Sequence, residues 1–162
     1  MKINFKYILL FIFTLTIFNS CERDDICIDE ITPKLVIKFY DKDDPTVVKS
    51  VTNLSAKIII GTENDSIPIF VNDTIASVPL KVTENSTQYI LTINSNNGAE
   101  LIRDILTINY EPEDVFVGRS CGFKTIFNNT TYTLDSNNWI QSTESITQTI
   151  DNETDAHVKI FH

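Results

Sequence analysis

The sequence predicts an all-β fold: a single antiparallel β-sandwich, immunoglobulin-like, with a β-barrel as the alternative closure. Three observations carry this. Val, Ile, Thr, Phe and Tyr recur along the chain while Gly occurs only 4 times in 162 residues, a composition that suits pleated strands better than helices. Several runs alternate apolar and polar residues at period two, the pattern of a half-buried strand. Asn, Asp and Ser clusters interrupt these runs about every ten residues, the spacing of turns in a sandwich or barrel.

The elements follow in order. Pro33 opens the first strand, Lys34 to Tyr40, with Leu35, Ile37 and Phe39 on one side and Val36, Lys38 and Tyr40 on the other. Asp41 to Pro45 is a turn, and Thr46 to Val51 a short return strand. Leu54 to Gly61 reads as a more buried strand through Ile58-Ile59-Ile60. Ser66 to Val71 is another. Ser77 to Val82 follows, where Pro79 argues for a sheet edge or a strand start because it has no N–H to donate. Thr87 to Asn94 places Tyr89, Leu91 and Ile93 on one face. Asn97 to Arg103 is the one weak helical segment, disfavoured by Gly98. Asp104 to Tyr110 is a strand, and Glu111-Pro112-Glu113-Asp114 a polar connection. Val115 to Val117 and Cys121 to Phe127 come next, then a turn at Asn128-Asn129. Thr131 to Leu134 and a long polar run from Trp139 to Ile150 read as strands, and His157 to Phe161 as the final one.

The amino-terminal segment has a different character. Lys2 and Lys6 precede an apolar stretch from Tyr7 to Phe18, then Asn19-Ser20-Cys21 and the polar Glu22-Arg23-Asp24-Asp25. The apolar stretch is short of the roughly 20 residues that span a bilayer and fits the core of a cleaved export signal. The order resembles a bacterial lipoprotein signal peptide, which implies that the Cys21 thiol is acylated and heads the mature chain. An uncleaved anchor helix starting near Ile3 is the alternative. Two or three acyl chains, at about 0.8 kcal/mol per buried methylene, would hold the protein to the bilayer with no help from the folded domain. The expected organisation is therefore a signal peptide over 1–20, an acylated Cys and acidic tether over 21–32, and a β-sandwich domain over 33–162. The expected location is the outer membrane, on its periplasmic side or at the cell surface. Arg23, Asp24 and Asp25 resemble the surface-export signal of Bacteroidota lipoproteins; a solvated acidic tether is the plainer reading.

Charge limits the partners. The leader holds two of the 13 basic residues and no acid, so residues 21–162 carry 11 basic and 22 acidic side chains, a net −11. So acidic a chain repels nucleic acid and anionic head groups. With Cys21 acylated, Cys27 and Cys121 remain. Export permits disulfides, and a single Cys27–Cys121 bridge is the simple expectation, against two free thiols. No metal ligand set and no cofactor is expected, since no His or further Cys stands at ligand spacing.

A family resemblance rests on Cys21-Glu-Arg-Asp-Asp-Ile-Cys27, Leu35 to Tyr40, Ile108-Asn-Tyr110, Ser120-Cys-Gly-Phe123 and Ala156 to Phe161. Together these are similar to a family of small Bacteroidota lipoproteins of unknown function. The resemblance implies location and fold and assigns no catalytic residue.

His157 near Asp155 reads as an exposed strand histidine, there being no Gly-x-Ser-x-Gly elbow, and His162 as a mobile one. Glu111, Glu113 and Asp114 are close enough for paired-carboxylate work, but sit at a turn signal. Asp41, Asp43 and Asp44 offer oxygen ligands without the Gly and distant Glu of a calcium loop. Trp139 reads as a core residue, an exposed sugar platform being the alternative. Asp65-Ser66-Ile67 and Asp73-Thr74-Ile75 are similar to the O-glycosylation sequence of exported Bacteroidota proteins, with Ser66 and Thr74 as acceptors. The function expected is that of a non-catalytic binding or structural accessory module held to the bilayer through Cys21, its partner another envelope protein or a glycan. A carboxylate hydrolase and a carrier of an apolar ligand are the alternatives.

Overall fold

A computed structural model describes residues 27, 32–60, 68–94 and 100–162. The leader, Cys21, Arg23, Asp24, Asp25, Ser66 and the start of the weak helical segment lie outside the described residues. The described residues form nine strands: β1 (Leu35–Tyr40), β2 (Val51–Ile58), β3 (Pro68–Asp73), β4 (Ile75–Val78), β5 (Ser86–Asn94), β6 (Leu101–Gly118), β7 (Gly122–Leu134), β8 (Ser142–Ser145) and β9 (Val158–Phe161). Among the described residues there is no helix, and Leu101 to Arg103 belong to β6.

The strands form two sheets, ordered β4-β1-β9-β8 and β3-β2-β5-β6-β7, and the assembly is a sandwich rather than a closed barrel. The alternation read from the sequence explains the layers. Leu35, Ile37 and Phe39 of β1, with Val158 and Ile160 of β9, are buried in one core with Leu54, Ala56, Tyr89, Leu91, Leu106, Ile108 and Phe127 of the larger sheet. One pair departs from the antiparallel pattern: β1 and β9 run parallel, from Ile37 against Val158 to Tyr40 against Phe161. The whole five-stranded sheet is thus the connection between the two central strands of the smaller one.

Several boundaries differ from those the sequence predicts. Thr46 to Val51 forms no return strand; only Val48 bridges to Tyr40 before β2 begins. Pro79 lies just past β4, which is an edge strand. Glu111 to Asp114 is not a connection but the middle of the 18-residue β6. Pro112 is tolerated there because β5 ends at Ser86, opposite Asn109, so one side of β6 is open beyond that point. The expected strand Trp139 to Ile150 shrinks to the four residues of β8, since Trp139 and Ile140 are drawn into the core ahead of it. Ile150 instead exchanges backbone hydrogen bonds with Phe127, at 2.8 and 3.0 Å, and Thr130 N–H donates to the Gln148 carbonyl at 2.9 Å. Residues 146–150 therefore cross from the small sheet to the edge of β7.

Asn128-Asn129 is likewise not a turn. The strand continues through it with one extra residue on β7, the register passing from Asn109–Thr131 to Glu111–Asn128. Asn129 absorbs the bulge at φ 53°, in the left-handed region that Asn tolerates and β-branched residues avoid. Asn129→Val is expected to cost about 1–2 kcal/mol, while Asn129→Gly leaves the urea midpoint nearly unchanged; equal midpoints for the two variants would refute the strain.

Candidate functional site

The outer face of the small sheet carries the residues of β1 and β9 that the core does not use. Lys38 lies opposite Lys159, and Tyr40 opposite Phe161. Both ammonium groups stand 5.7 Å from the Tyr40 ring centre, and the Tyr40 and Phe161 rings are 5.8 Å apart. Two adjacent lysines repel, and the aromatic face and Glu144 offset this. Glu144 accepts from Lys159 at 2.7 Å, the main cause of that ammonium's raised pKa. Lys38 has no ion pair among the described residues.

Residues 146–157 fold against this face and make it concave. The resulting groove, about 480 Å³, is lined by Lys38 and Tyr40 on one side and by Thr147, Thr149, Asp151, Asn152, Asp155 and His157 on the other. Its loop wall is held at several points. Glu153 accepts the Lys34 N–H at 2.8 Å, Lys124 donates to the Asp151 carbonyl at 2.9 Å, and Thr149 Oγ1 donates to Asn128 Oδ1 at 3.3 Å. A wall tied to β1 and β7 loses little entropy when it receives a ligand.

His157 anchors the loop from beneath, and it is not exposed as the sequence suggested. It is buried, its N–H donates to the Val36 carbonyl at 2.8 Å, and its Nδ1 accepts the Val36 N–H at 2.9 Å. Burial lowers its pKa below 6.5, outweighing the Asn152 backbone and the nearby Asp151, Glu153 and Asp155, which raise it. His162 is packed rather than mobile. Its ring meets Phe39 and Trp139 edge-on at 6.0 and 5.7 Å, its carbonyl accepts from Lys49 Nζ at 2.7 Å, and burial lowers its pKa as well. With folded pKa values below the unfolded ones, the neutral imidazoles stabilise the fold fully above pH 6.5, and that stability is lost as pH falls from 6.5 through the folded values. Urea midpoints should therefore decline across that window, and His157→Gln should flatten the decline; an unchanged slope would refute the assignment.

The other predicted residues are scattered. Asp41 Oδ1 accepts the Asp43 and Asp44 N–H groups at 2.7 and 3.4 Å, and its carboxylate meets Lys49 at 3.2 Å. The Asp43 amide bond and then Lys49 hold its pKa down. Asp44 turns back on Thr46, so the oxygens are spent on the turn. Glu111, Glu113 and Asp114 each pair across to β7, with Asn129, Asn128 and Thr125 at 2.9, 2.8 and 2.7 Å. Among the described residues no cluster of His, Cys, Asp and Glu is arranged to hold a metal. Trp139 is a core residue, its Nε1 donating to the Leu91 carbonyl at 3.1 Å. Thr74 follows β3, its hydroxyl 3.2 Å from Asp73 Oδ1. Cys27 and Cys121 are joined in a disulfide across a sequence separation of 94.

Sequence reasoning passed over Lys38 and Tyr40. Their outward parity is legible, but the loop that makes that face concave is not, since its first residues, 146–150, fall in the run from Trp139 to Ile150 that reads as a strand. No curated protein and no solved structure matches the chain. A family model does match, over residues 56–162. It takes in the end of β2, all of β3 to β9, Cys121 and the whole loop wall of the groove, and leaves β1 and Cys27 outside. On that match, the chain belongs to the family of unknown function DUF6452.

Proposed function

We propose that the protein is a membrane-anchored lipoprotein of the cell envelope, acylated at Cys21, whose domain is a non-catalytic binding module using the groove beside Tyr40 to hold a glycan. The observation that carries this reading is the make-up of the groove. An aromatic ring is set among two ammonium groups, carboxylates, an amide and hydroxyls. A sugar presents the complement, an apolar C–H face edged by hydroxyl groups. The groove's volume, about 480 Å³, lies within the range of about 300–1,000 Å³ usual for ligand sites. A segment of another envelope protein is the competing occupant. The hydrolase alternative finds little support: the paired acids of β6 are engaged in cross-strand hydrogen bonds, and Asp104, the fully buried carboxylate among the described residues, is saturated by backbone and Ser136 donors.

Two measurements test the two halves of the proposal. Labelled palmitate should enter the wild type and not Cys21→Ser, which should leave the membrane fraction. On an array of envelope glycans, Tyr40→Ala should lose about tenfold or more in affinity with an unchanged urea midpoint. Binding that survives Tyr40→Ala, or crosslinks from position 40 that yield only envelope proteins, would overturn the glycan reading.

A further inference from the structure

β6 and β7 run on past the end of the five-stranded sheet. Beyond Asn109 no β5 residue pairs with β6, and the other edge of β7 pairs with Ile150 at Phe127, so residues 113–118 and 122–126 form a two-stranded arm past both. At its end Phe116 and Phe123 lie directly opposite each other, with ring centres 5.3 Å apart. They are 58% and 63% exposed, whereas the aromatic rings of Phe39, Tyr89, Tyr110, Phe127 and Trp139 are buried in the core. Residues 115–124, Val-Phe-Val-Gly-Arg-Ser-Cys-Gly-Phe-Lys, contain no acid, in a chain with 22 acidic residues. The same end of the arm bears Cys121, bonded to Cys27 with the two Cα atoms 4.9 Å apart.

The disulfide gives this end an address. Cys27 lies six residues beyond Cys21, and a fully extended chain spans at most about 3.6 Å per residue, or about 22 Å in all. If Cys21 carries acyl chains, Cys27 is held within that distance of the bilayer surface and Cys121 at the arm tip within a further 4.9 Å, whatever path the tether takes. Aromatic side chains at the end of a rigid element favour the membrane–water interface, where ring and backbone are both accommodated. We propose that the tip of the β6–β7 arm seats in the lipid interface through Phe116 and Phe123, so that the domain is held at a set orientation to the membrane rather than swinging on a tether. This rests on the lipoprotein reading of Cys21. The rings carry the contact rather than charge. Glu22, Arg23, Asp24 and Asp25, just before Cys27 in sequence, carry a net −2 against the +2 of Arg119 and Lys124 around its partner Cys121, so a zwitterionic bilayer suffices.

The test uses the full acylated chain reconstituted in phosphatidylcholine vesicles, with and without brominated acyl chains. A Phe123→Trp variant places a reporter at the tip, while Trp139, buried in the core, serves as the internal reference. Flotation of the vesicles reports the anchor, and bromolipid quenching reports the tip. The expected result is co-flotation, with a blue-shifted tip emission quenched several-fold more strongly than Trp139 in the parent. Phe116→Ser in the same background should weaken the quenching while flotation persists. Co-flotation with an unquenched tip overturns the seating and leaves the lipoprotein reading intact. A blue shift that bromolipid does not quench also overturns it, since a second copy or a partner protein then covers the rings. Failure to float overturns both, because the tether argument goes with the anchor. Mass analysis of the Cys27–Cys121 bridge checks folding, and Phe116→Trp serves if Phe123→Trp does not fold.

Discussion

Replacing Asp104 with alanine is expected to destabilise the protein by about 3–5 kcal/mol, among the largest effects a single substitution produces. Asp104 is fully buried on β6, and both of its oxygens are occupied. Oδ1 accepts the Ser136 hydroxyl at 2.7 Å and the Asn138 N–H at 2.8 Å; Oδ2 accepts the Trp139 and Ile140 N–H groups, each at 2.8 Å. One carboxylate thus gathers the loop that lowers Trp139 and Ile140 into the core. Alanine would strand the Trp139 and Ile140 donors away from water, at about 1–3 kcal/mol for each unsatisfied group. It would also loosen the indole, whose Nε1 bonds Leu91. Burial raises the pKa of this carboxyl, but the Ile140, Asn138 and Trp139 amides and Ser136 together outweigh it, and the folded value lies below 3.8. By linkage the ionised group contributes fully above the unfolded value, and its contribution is lost as pH falls from 3.8 through the folded value. Urea unfolding followed by Trp139 fluorescence measures both effects. A loss under about 1 kcal/mol, or an acid limb unaltered in Asp104→Asn, would refute this role.

Opening the disulfide is the second large effect. Cys121→Ser, or Cys27→Ser, should lower stability by about 4–5 kcal/mol, because a bridge across a separation of 94 residues removes much of the unfolded chain's freedom. The two single variants and the double variant should agree, since each opens the same loop. Additive losses, with the double variant losing the sum of the two singles, would mean that the cysteines act separately. Because the bridge is at the arm tip and not in the core, the urea slope should rise as the unfolded state expands, while the Trp139 environment of the folded state stays the same. A changed native Trp139 emission would instead place the bridge among the determinants of core packing.

Much of this was legible in the chain. The period-two runs gave β1, β5 and β9 nearly to the residue, because each has one face in the core and one in water. The two cysteines left after Cys21 gave the bridge by counting. Asp104 could also have been found: it shares the inward parity of Leu106, Ile108 and Tyr110, where a carboxylate needs a strong compensating partner. What that partner would be was not legible, since the donors lie 32 to 36 residues away.

Local pattern alone was enough to specify strand faces, turn-rich character, acidity and the cysteine pair, because each depends on neighbours along the chain or on simple counting. Tertiary contact decided the rest. The parallel pairing of β1 with β9 comes from two apolar strands far apart in sequence completing one core. The passage of β6 straight through Glu111-Pro112 comes from a partner strand that supplies its hydrogen bonds. The burial of His157 comes from the unpaired Val36 N–H that its Nδ1 satisfies. A short-range pattern can say which groups must be buried or bonded, but the groups that meet those needs arrive from distant parts of the chain.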